Sequence, residues 1–311
     1  MNNNKILITG TTGFIGKALL ECLIHSECFI VAPTRRPLTT LPSNLVMPVL
    51  FDIAALPDRP DWFDGCKIAI HIAAKAHVAG EPIASFRQVN TEATFNLARR
   101  CAEAGVKRFI FLSSIGVNGI SNFEPFTMLD TPSPVEAYAV SKLEAEIGLK
   151  QIAKETGMEV VIIRPPLVYG LDAPGNFGKL AKLAQKNLPL PLGAIHNKRS
   201  LVARDNLVDL IITCIDHPKA ANQTFLVSDD QDVSTTELLQ MMTRAAGKKP
   251  RLIPVPVSWL KLAGKLTGKQ AVIDRLCGNL QVDISHTKDT LNWKPPVTVE
   301  EGIARCFAGS E

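Results

Sequence analysis

Short apolar, β-branched runs alternate with segments of helical period through the first two thirds of the chain. Lys5–Thr9, Phe29–Ala32, Val46–Phe51, Ile68–Ile72, Arg108–Ser113 and Glu159–Arg164 have the length and content of strands. Between them, Ile15–Leu23 places apolar side chains at Ile15, Leu19, Cys22 and Leu23, the spacing of one helix face, and Thr91–Ala104 and Tyr138–Thr156 carry further helical patterns. Strands that are apolar on both faces and alternate with helices predict a parallel, doubly wound α/β sheet. From Tyr169 onward Pro174, Gly175, Pro189, Pro191 and Gly193 break the pattern. The expected organisation is a sheet domain over residues 1–170, rejoined by the chain near residues 200–230 with a strand around Phe225–Ser228, and a smaller α/β domain over residues 171–311.

Composition narrows the class without changing the fold. With 311 residues the chain can bury a large core without disulfides or structural metal. Its 46% hydrophobic and 21% charged residues are those of an ordinary globular protein. A net charge of +4, with no basic run, argues against a nucleic-acid or membrane-surface partner. The apolar stretches are strand-sized, and Lys5 leads straight into the first strand with no room for a signal peptide, so a cytoplasmic location is expected. The seven cysteines and six histidines are scattered without metal or redox spacing, which predicts reduced thiols and no metal site.

The first strand ends in Thr9-Gly10-Thr11-Thr12-Gly13-Phe14-Ile15-Gly16 and opens into a helix. Glycines at these spacings permit a tight turn, close backbone approach to a pyrophosphate and close helix–sheet packing, while the helix N-terminus offers free N–H groups. Gly10, Thr12, Gly13, Phe14, Ile15 and Gly16 are therefore candidate contacts to a dinucleotide. After the second strand, where an NAD site usually places an acid for the ribose hydroxyls, the chain reads Arg35-Arg36. Two guanidiniums suit a 2′-phosphate, which favours NADP(H) and leaves NAD(H) possible; the alternative is that both project into solvent.

Tyr138-Ala-Val-Ser-Lys142 falls at the start of a predicted helix, and a spacing of four puts both side chains on one face. A phenol is a poor base at neutral pH, and an ammonium nearby favours phenolate, so the pair is a candidate acid/base. Ser113-Ser114 closes a strand upstream, where a hydroxyl points into the crevice in which open α/β sheets bind ligands.

Taken together, these motifs resemble the extended short-chain dehydrogenase/reductases, NAD(P)-dependent epimerases, dehydratases and reductases of nucleotide sugars with a Rossmann fold. Further matches are Asp52-Ile53, His71-Ile72-Ala73-Ala74, Val89-Asn90, Arg164-Pro165-Pro166-Leu167-Val168-Tyr169-Gly170 and Arg199-Ser200-Leu201-Val202. The resemblance implies Ser114, Tyr138 and Lys142 as catalytic residues, with Lys142 also on the nicotinamide ribose. It places Asp52 and Ile53 at the adenine, Ala73, Ala74, Ala76 and Asn90 along the phosphates and ribose, and Pro165 and Val168 beside the nicotinamide. Asn176 and Arg199 would grip the diphosphate of a UDP- or dTDP-sugar, Arg275 is the candidate for a further substrate-binding arginine, and the helices Thr91–Ala104 and Tyr138–Thr156 would pair in a homodimer.

Departures from the family pattern are Leu167 where an Asn is frequent, Val117-Asn118-Gly119 where V-Y-G is frequent, and Arg275-Leu-Cys-Gly in place of R-P-G-D. Ile115-Gly116 replaces the acid pair of the dehydratases. The expected reaction is at C4 of the sugar. Arg35-Arg36 favours a 4-keto-6-deoxy-sugar reductase of surface-polysaccharide synthesis, and Pro189–Asp209, with Arg164–Gly170 and Gln281–Ser285, resembles the bacterial reductases of that kind. A UDP-hexose 4-epimerase with bound NAD is the alternative, and a non-catalytic dinucleotide sensor is the reading of another class.

Overall fold

The computed structural model describes residues 5–35, 44–55, 61–76 and 80–308. In chain order the strands are β1 (Lys5–Thr9), β2 (Phe29–Thr34), β3 (Val46–Leu50), β4 (Cys66–His71), β5 (Arg108–Leu112), β6 (Glu159–Arg164), β7 (Leu167–Tyr169), β8 (Arg199–Ala203), β9 (Thr224–Leu226) and β10 (Asp232–Val233). The helices are α1 (Phe14–His25), α2 (Ile83–Phe86), α3 (Ala93–Glu103), α4 (Ala137–Thr156), α5 (Gly175–Lys186), α6 (Arg204–Asp216), α7 (Thr235–Ala245), α8 (Val257–Leu266), α9 (Gln270–Cys277), α10 (Ser285–Leu291) and α11 (Val299–Arg305). A π-helical turn, Arg87–Glu92, joins α2 to α3, so the helix expected from Thr91 is the end of a continuous helical stretch that starts at Ile83.

Seven strands form one sheet in the order β3-β2-β1-β4-β5-β6-β9, every pair parallel. This is the doubly wound Rossmann-type sheet that the alternation predicts. Its strands read as continuous apolar runs because successive side chains enter opposite, equally buried layers. Ile6 and Ile8 of β1, Ile110 and Leu112 of β5, and Val161 and Ile163 of β6 join the core under α1 and α6. Leu7, Phe109, Phe111, Val160 and Ile162 join the opposite core under α3 and α4. The chain returns to the sheet edge at β9, close to the strand expected around Phe225.

A second sheet, β10-β8-β7, carries the C-terminal region. The two regions share packing: Val202, Leu207, Phe225, Val282, Ile284 and Trp293 lie in the same core as Ile6 and Ile8. A third core, built on Tyr169, Phe177, Ile195, Leu239 and Ile303, fills the C-terminal region itself. Among the described residues no helix is long and apolar enough to cross a membrane.

The chain leaves β1 towards β2 and β3, then returns to β4 on the other side of β1. The carboxyl ends of β1 and β4 therefore flank the topological switch point, where such sheets bind ligands.

Candidate active site

At this switch point the glycine turn leaves β1. Gly10 has φ +80, and a Cβ there would lie 2.7 Å from the backbone nitrogen of Ala73, just past β4. A Cβ on Gly16 would lie 2.1 Å from the Gly10 carbonyl oxygen. Both positions need glycine, the first for its left-handed backbone and the second for helix–strand contact. No side chain caps α1 at Gly13, and the buried Thr11 hydroxyl in the turn has no hydrogen-bond partner. An uncapped helix start with an orphaned buried hydroxyl beside a side-chain-free cradle fits the diphosphate of a dinucleotide. Thr12 and Gly13 are exposed there, while Phe14 and Ile15 are half-buried, with the Arg204 guanidinium 5.1 Å over the Phe14 ring.

Arg35 follows β2 and is exposed; Arg36 lies outside the described residues. After β3, the exposed Asp52 accepts the Ala54 N–H at 3.0 Å, and half-buried Ile53 opens a single 3-10 turn. After β4, Ala73 and Ala76 are half-buried and Ala74 is exposed. Asn90, 1% exposed, binds this segment rather than facing the crevice: its Oδ1 accepts the Lys75 N–H at 2.8 Å, and its Nδ2 donates to the Lys75 carbonyl and the Ser141 hydroxyl, both at 3.0 Å. Its donors are thereby used up, so it shapes the loop of Ala73, Ala74 and Ala76.

Buried His71, whose ring stacks on Phe111, closes the same corner. The Thr94 hydroxyl donates to the Asn90 carbonyl, so His71 Nε2–H donates to Thr94 Oγ1 at 2.9 Å and Nδ1 accepts from Thr9 Oγ1 at 2.6 Å. Thr9 Oγ1 in turn accepts the Ala73 N–H at 3.3 Å. Burial, helped by the Lys142 charge, pushes His71 down to about 3, so this relay is neutral. The motif His71-Ile72-Ala73-Ala74 is thus a tie between the ends of β1 and β4.

The candidate catalytic residues sit beyond β5. Ser114 is half-buried in extended backbone, and its hydroxyl accepts the Gly116 N–H at 3.1 Å. Tyr138 lies in the first turn of α4, half-buried, edge-on to Phe86 with ring centroids 6.5 Å apart. Lys142, one turn further, is 1% exposed; its Nζ donates to the Leu112 carbonyl at 2.7 Å and lies 4.3 Å from the Phe111 ring centroid. Burial pulls Lys142 down to about 7, against the opposing pull of Glu146. Burial alone pushes Tyr138 up to about 12, and Lys142 is not among the causes. The expectation that the ammonium lowers this phenol is therefore not met in this structure, where the ammonium is directed to Leu112 and Phe111.

Behind Lys142 stands a buried ion pair whose pairing the motifs do not announce: Arg164 opens one of them and Glu146 lies in none. Glu146 of α4 holds Arg164 of β6, with Arg164 Nε donating to Glu146 Oε1 at 2.9 Å. Ser113 donates to the same oxygen at 2.5 Å, and Arg164 also donates to Asn118 Oδ1 at 2.9 Å. Asn118 thus occupies the usual Tyr position of V-Y-G as a partner for Arg164. A charge at the end of the apolar run Val160–Ile163, and a Glu one turn beyond Lys142, were the available signals. Pro165 is buried, its carbonyl accepting the Ile115 N–H at 2.9 Å, and Val168 is half-buried in β7.

The three candidate substrate residues are placed unequally. Asn176 is exposed in the first turn of α5. Arg199 and Arg275 come together: half-buried Arg199 donates to the carbonyls of Arg275 at 2.9 Å and Gly278 at 3.1 Å. Burial, then the nearby Arg275, lower the Arg199 pKa. Exposed Arg275 is ion-paired with Glu136, the residue that precedes α4. Asp205 pairs with Arg305 and Asp209 with the Trp293 indole. Tyr169, by contrast, is structural, donating to Asp229 at 2.7 Å in the third core.

The model of the NAD dependent epimerase/dehydratase family matches residues 6–228, from the start of β1 to just past β9. The chain belongs to this family. The glycine turn and the Tyr138/Lys142 helix of this family member lie within the matched span, and it is accordingly an enzyme. It is 49% identical over 306 residues to the UDP-glucose 4-epimerase of Vibrio cholerae, covering 96% of this chain and 93% of the relative. It is also 25% identical over 317 residues to the N-acetyl-alpha-D-glucosaminyl-diphospho-ditrans,octacis-undecaprenol 4-epimerase of Escherichia coli O157:H7, covering 97% of this chain and 94% of the relative. Its fold matches that of the UDP-glucuronic acid 4-epimerase from Bacillus cereus in complex with NAD, with a TM-score of 0.81 at 20% identity over 98% of this chain and 95% of the other.

Proposed function

We propose that this enzyme is an NAD-dependent 4-epimerase of a UDP-hexose, of the UDP-glucose type. The observation that carries the reading is the 49% identity, over 96% of this chain, to a UDP-glucose 4-epimerase. It replaces the favoured expectation of a 4-keto-6-deoxy-sugar reductase. The NADP(H) preference rested on Arg35-Arg36, of which Arg35 is exposed and Arg36 lies outside the described residues. The reductase expectation rested on that pair and on the resemblance of Pro189–Asp209, Arg164–Gly170 and Gln281–Ser285 to reductases, and the 49% identity outweighs it. The solved neighbour with NAD supports NAD as the dinucleotide. A sensor role receives no support, because Tyr138 and Lys142 are both present and placed on one helix face.

The turn of Gly10, Thr12, Gly13, Phe14, Ile15 and Gly16 would hold the diphosphate of NAD, with Asp52 and Ile53 near the adenine and Ala73, Ala74, Ala76, Pro165 and Val168 along the rest. When bound, NAD supplies an acceptor that takes a hydride from C4 and gives it back. The chain's own work is proton transfer and grip. Tyr138 takes the proton of the C4 hydroxyl and returns it to the same oxygen after the sugar turns over, and Ser114 donates a hydrogen bond to that oxygen. The positive charge that favours phenolate would come with the bound nicotinamide cation, while Lys142, one turn along α4 and directed to the Leu112 carbonyl, would hold the nicotinamide ribose. Asn176, Arg199 and Arg275 would hold the sugar nucleotide's diphosphate, Arg275 exchanging Glu136 for phosphate. We also propose that two copies associate through α3 and α4.

The test is an assay of the purified enzyme without added reductant. Interconversion of UDP-glucose and UDP-galactose, with NAD released on denaturation, is the expected result. No epimerisation, together with NADPH oxidation driven by a 4-keto-6-deoxy sugar nucleotide, would return the reading to a reductase.

A further inference from the structure

We propose that α8, with the loop before it, docks the enzyme on the surface of an anionic lipid bilayer. The inference does not depend on which sugar is turned over. Helix α8 is amphipathic in the unusual sense. Its inner side is Leu260, buried in the third core, and Gly264, where a Cβ would lie 2.9 Å from Ile273 of α9. At about 100° per residue, Trp259, Leu262 and Leu266 fall within roughly 60° of one another, opposite Leu260 and Gly264. They are 70%, 58% and 80% exposed, and Val272 of the adjoining α9 is 55% exposed. An apolar stripe pointing away from the core needs a partner that is itself apolar.

The charges beside the stripe say which partner. Lys248, Lys249, Arg251, Lys261, Lys265 and Lys269 are all exposed, and no acid occurs between residues 248 and 269. None of the six forms an ion pair among the described residues. The whole chain carries +4, so without these six it is net −2. The small overall charge thus averages away a locally cationic face. On α8, Lys261 and Lys265 flank one edge of the stripe, the arrangement of a helix that lies in a membrane interface with an indole at headgroup level. A second copy of the chain is a poor partner, because a two-fold contact through this face sets six cations against six. The adjoining α9 carries Arg275, whose pairing with Glu136 links this face to the start of α4. The docked surface therefore lies one helix away from the candidate diphosphate grip.

The test uses the full-length enzyme with vesicles of equimolar phosphatidylglycerol and phosphatidylethanolamine, against vesicles of phosphatidylcholine. Flotation with the anionic vesicles alone is expected, with a blue shift of tryptophan emission. That shift reports Trp259, because Trp62 and Trp293 are 8% and 5% exposed. At roughly fivefold per charge, Lys261→Gln/Lys265→Gln/Lys269→Gln should weaken partitioning on the order of a hundredfold. Leu262→Ser/Leu266→Ser should abolish flotation, and both variants should keep the parent's Tm and turnover. No flotation at low salt, or equal binding to both vesicle types, overturns the proposal. So does a fall from dimer to monomer in Leu262→Ser/Leu266→Ser, which would assign the stripe to self-association.

Discussion

A phenol pushed up to about 12 by burial holds its proton at neutral pH, so Tyr138 works as a base only when positive charge acts on it. In the proposed mechanism its hydroxyl contributes proton transfer and little binding. Tyr138→Phe should therefore lower kcat by about two to four decades while the NAD content of the purified enzyme, measured after denaturation, stays that of the parent. Lys142 makes a pH prediction. Its pKa is about 7 in the fold against 10.5 for a free side chain, so between those values the unfolded chain binds the extra proton and stability rises with pH. Below about 7 both states are protonated and the trend vanishes. The Tm of the parent minus that of Lys142→Met should accordingly increase from about pH 6 to about pH 9. A flat difference would mean that the buried ammonium titrates at its ordinary value.

Elements are joined at this site by a charge pairing that no single motif announces. Glu146 on α4 and Arg164 on β6 are 1% and 3% exposed, and removing one partner strands the other in the core. Glu146→Gln should cost about 3–5 kcal/mol of stability, read by urea denaturation. Unlike a loss of catalytic chemistry alone, it should lower Tm with or without NAD. Arg199 joins β8 to the end of α9 through the carbonyls of Arg275 and Gly278, and also faces the proposed diphosphate grip. Contacts remote from C4 are felt alike in ground and transition states, so Arg199→Ala should raise KM for the sugar nucleotide at least tenfold and change kcat less. A lowered Tm with unchanged KM would leave it a scaffold residue. The glycine turn was legible because its constraints are local: Gly10 needs a positive φ, and Gly16 leaves no space for a Cβ. The Glu146–Arg164 joint was not, because its partners are 18 residues apart and meet only once α4 lies across β6.

For the whole molecule, the proposed dimer through α3 and α4 would pair faces on which Arg87 grips Glu144 and Arg99 grips Glu155, with Ile147 61% exposed on α4. Light scattering at micromolar protein should give twice the chain mass of 33.8 kDa, and Ile147→Glu should return it to one. At this scale the sequence by itself determined the parallel sheet, the dinucleotide turn and the Tyr138/Lys142 stripe. Hydrophobic period, a strand-to-helix glycine spacing and an i, i+4 pair are all written within a few residues of one another. Tertiary structure alone decided the rest. It directed the Lys142 ammonium to the Leu112 carbonyl, drew Asn90 behind the Ala73–Ala76 loop and brought Arg275 to Glu136, 139 residues away. It also turned Trp259, Leu262 and Leu266 outward, because Leu260 and Gly264 took the inner face. These outcomes depend on burial and on contacts between distant segments, and neither is set by local spacing.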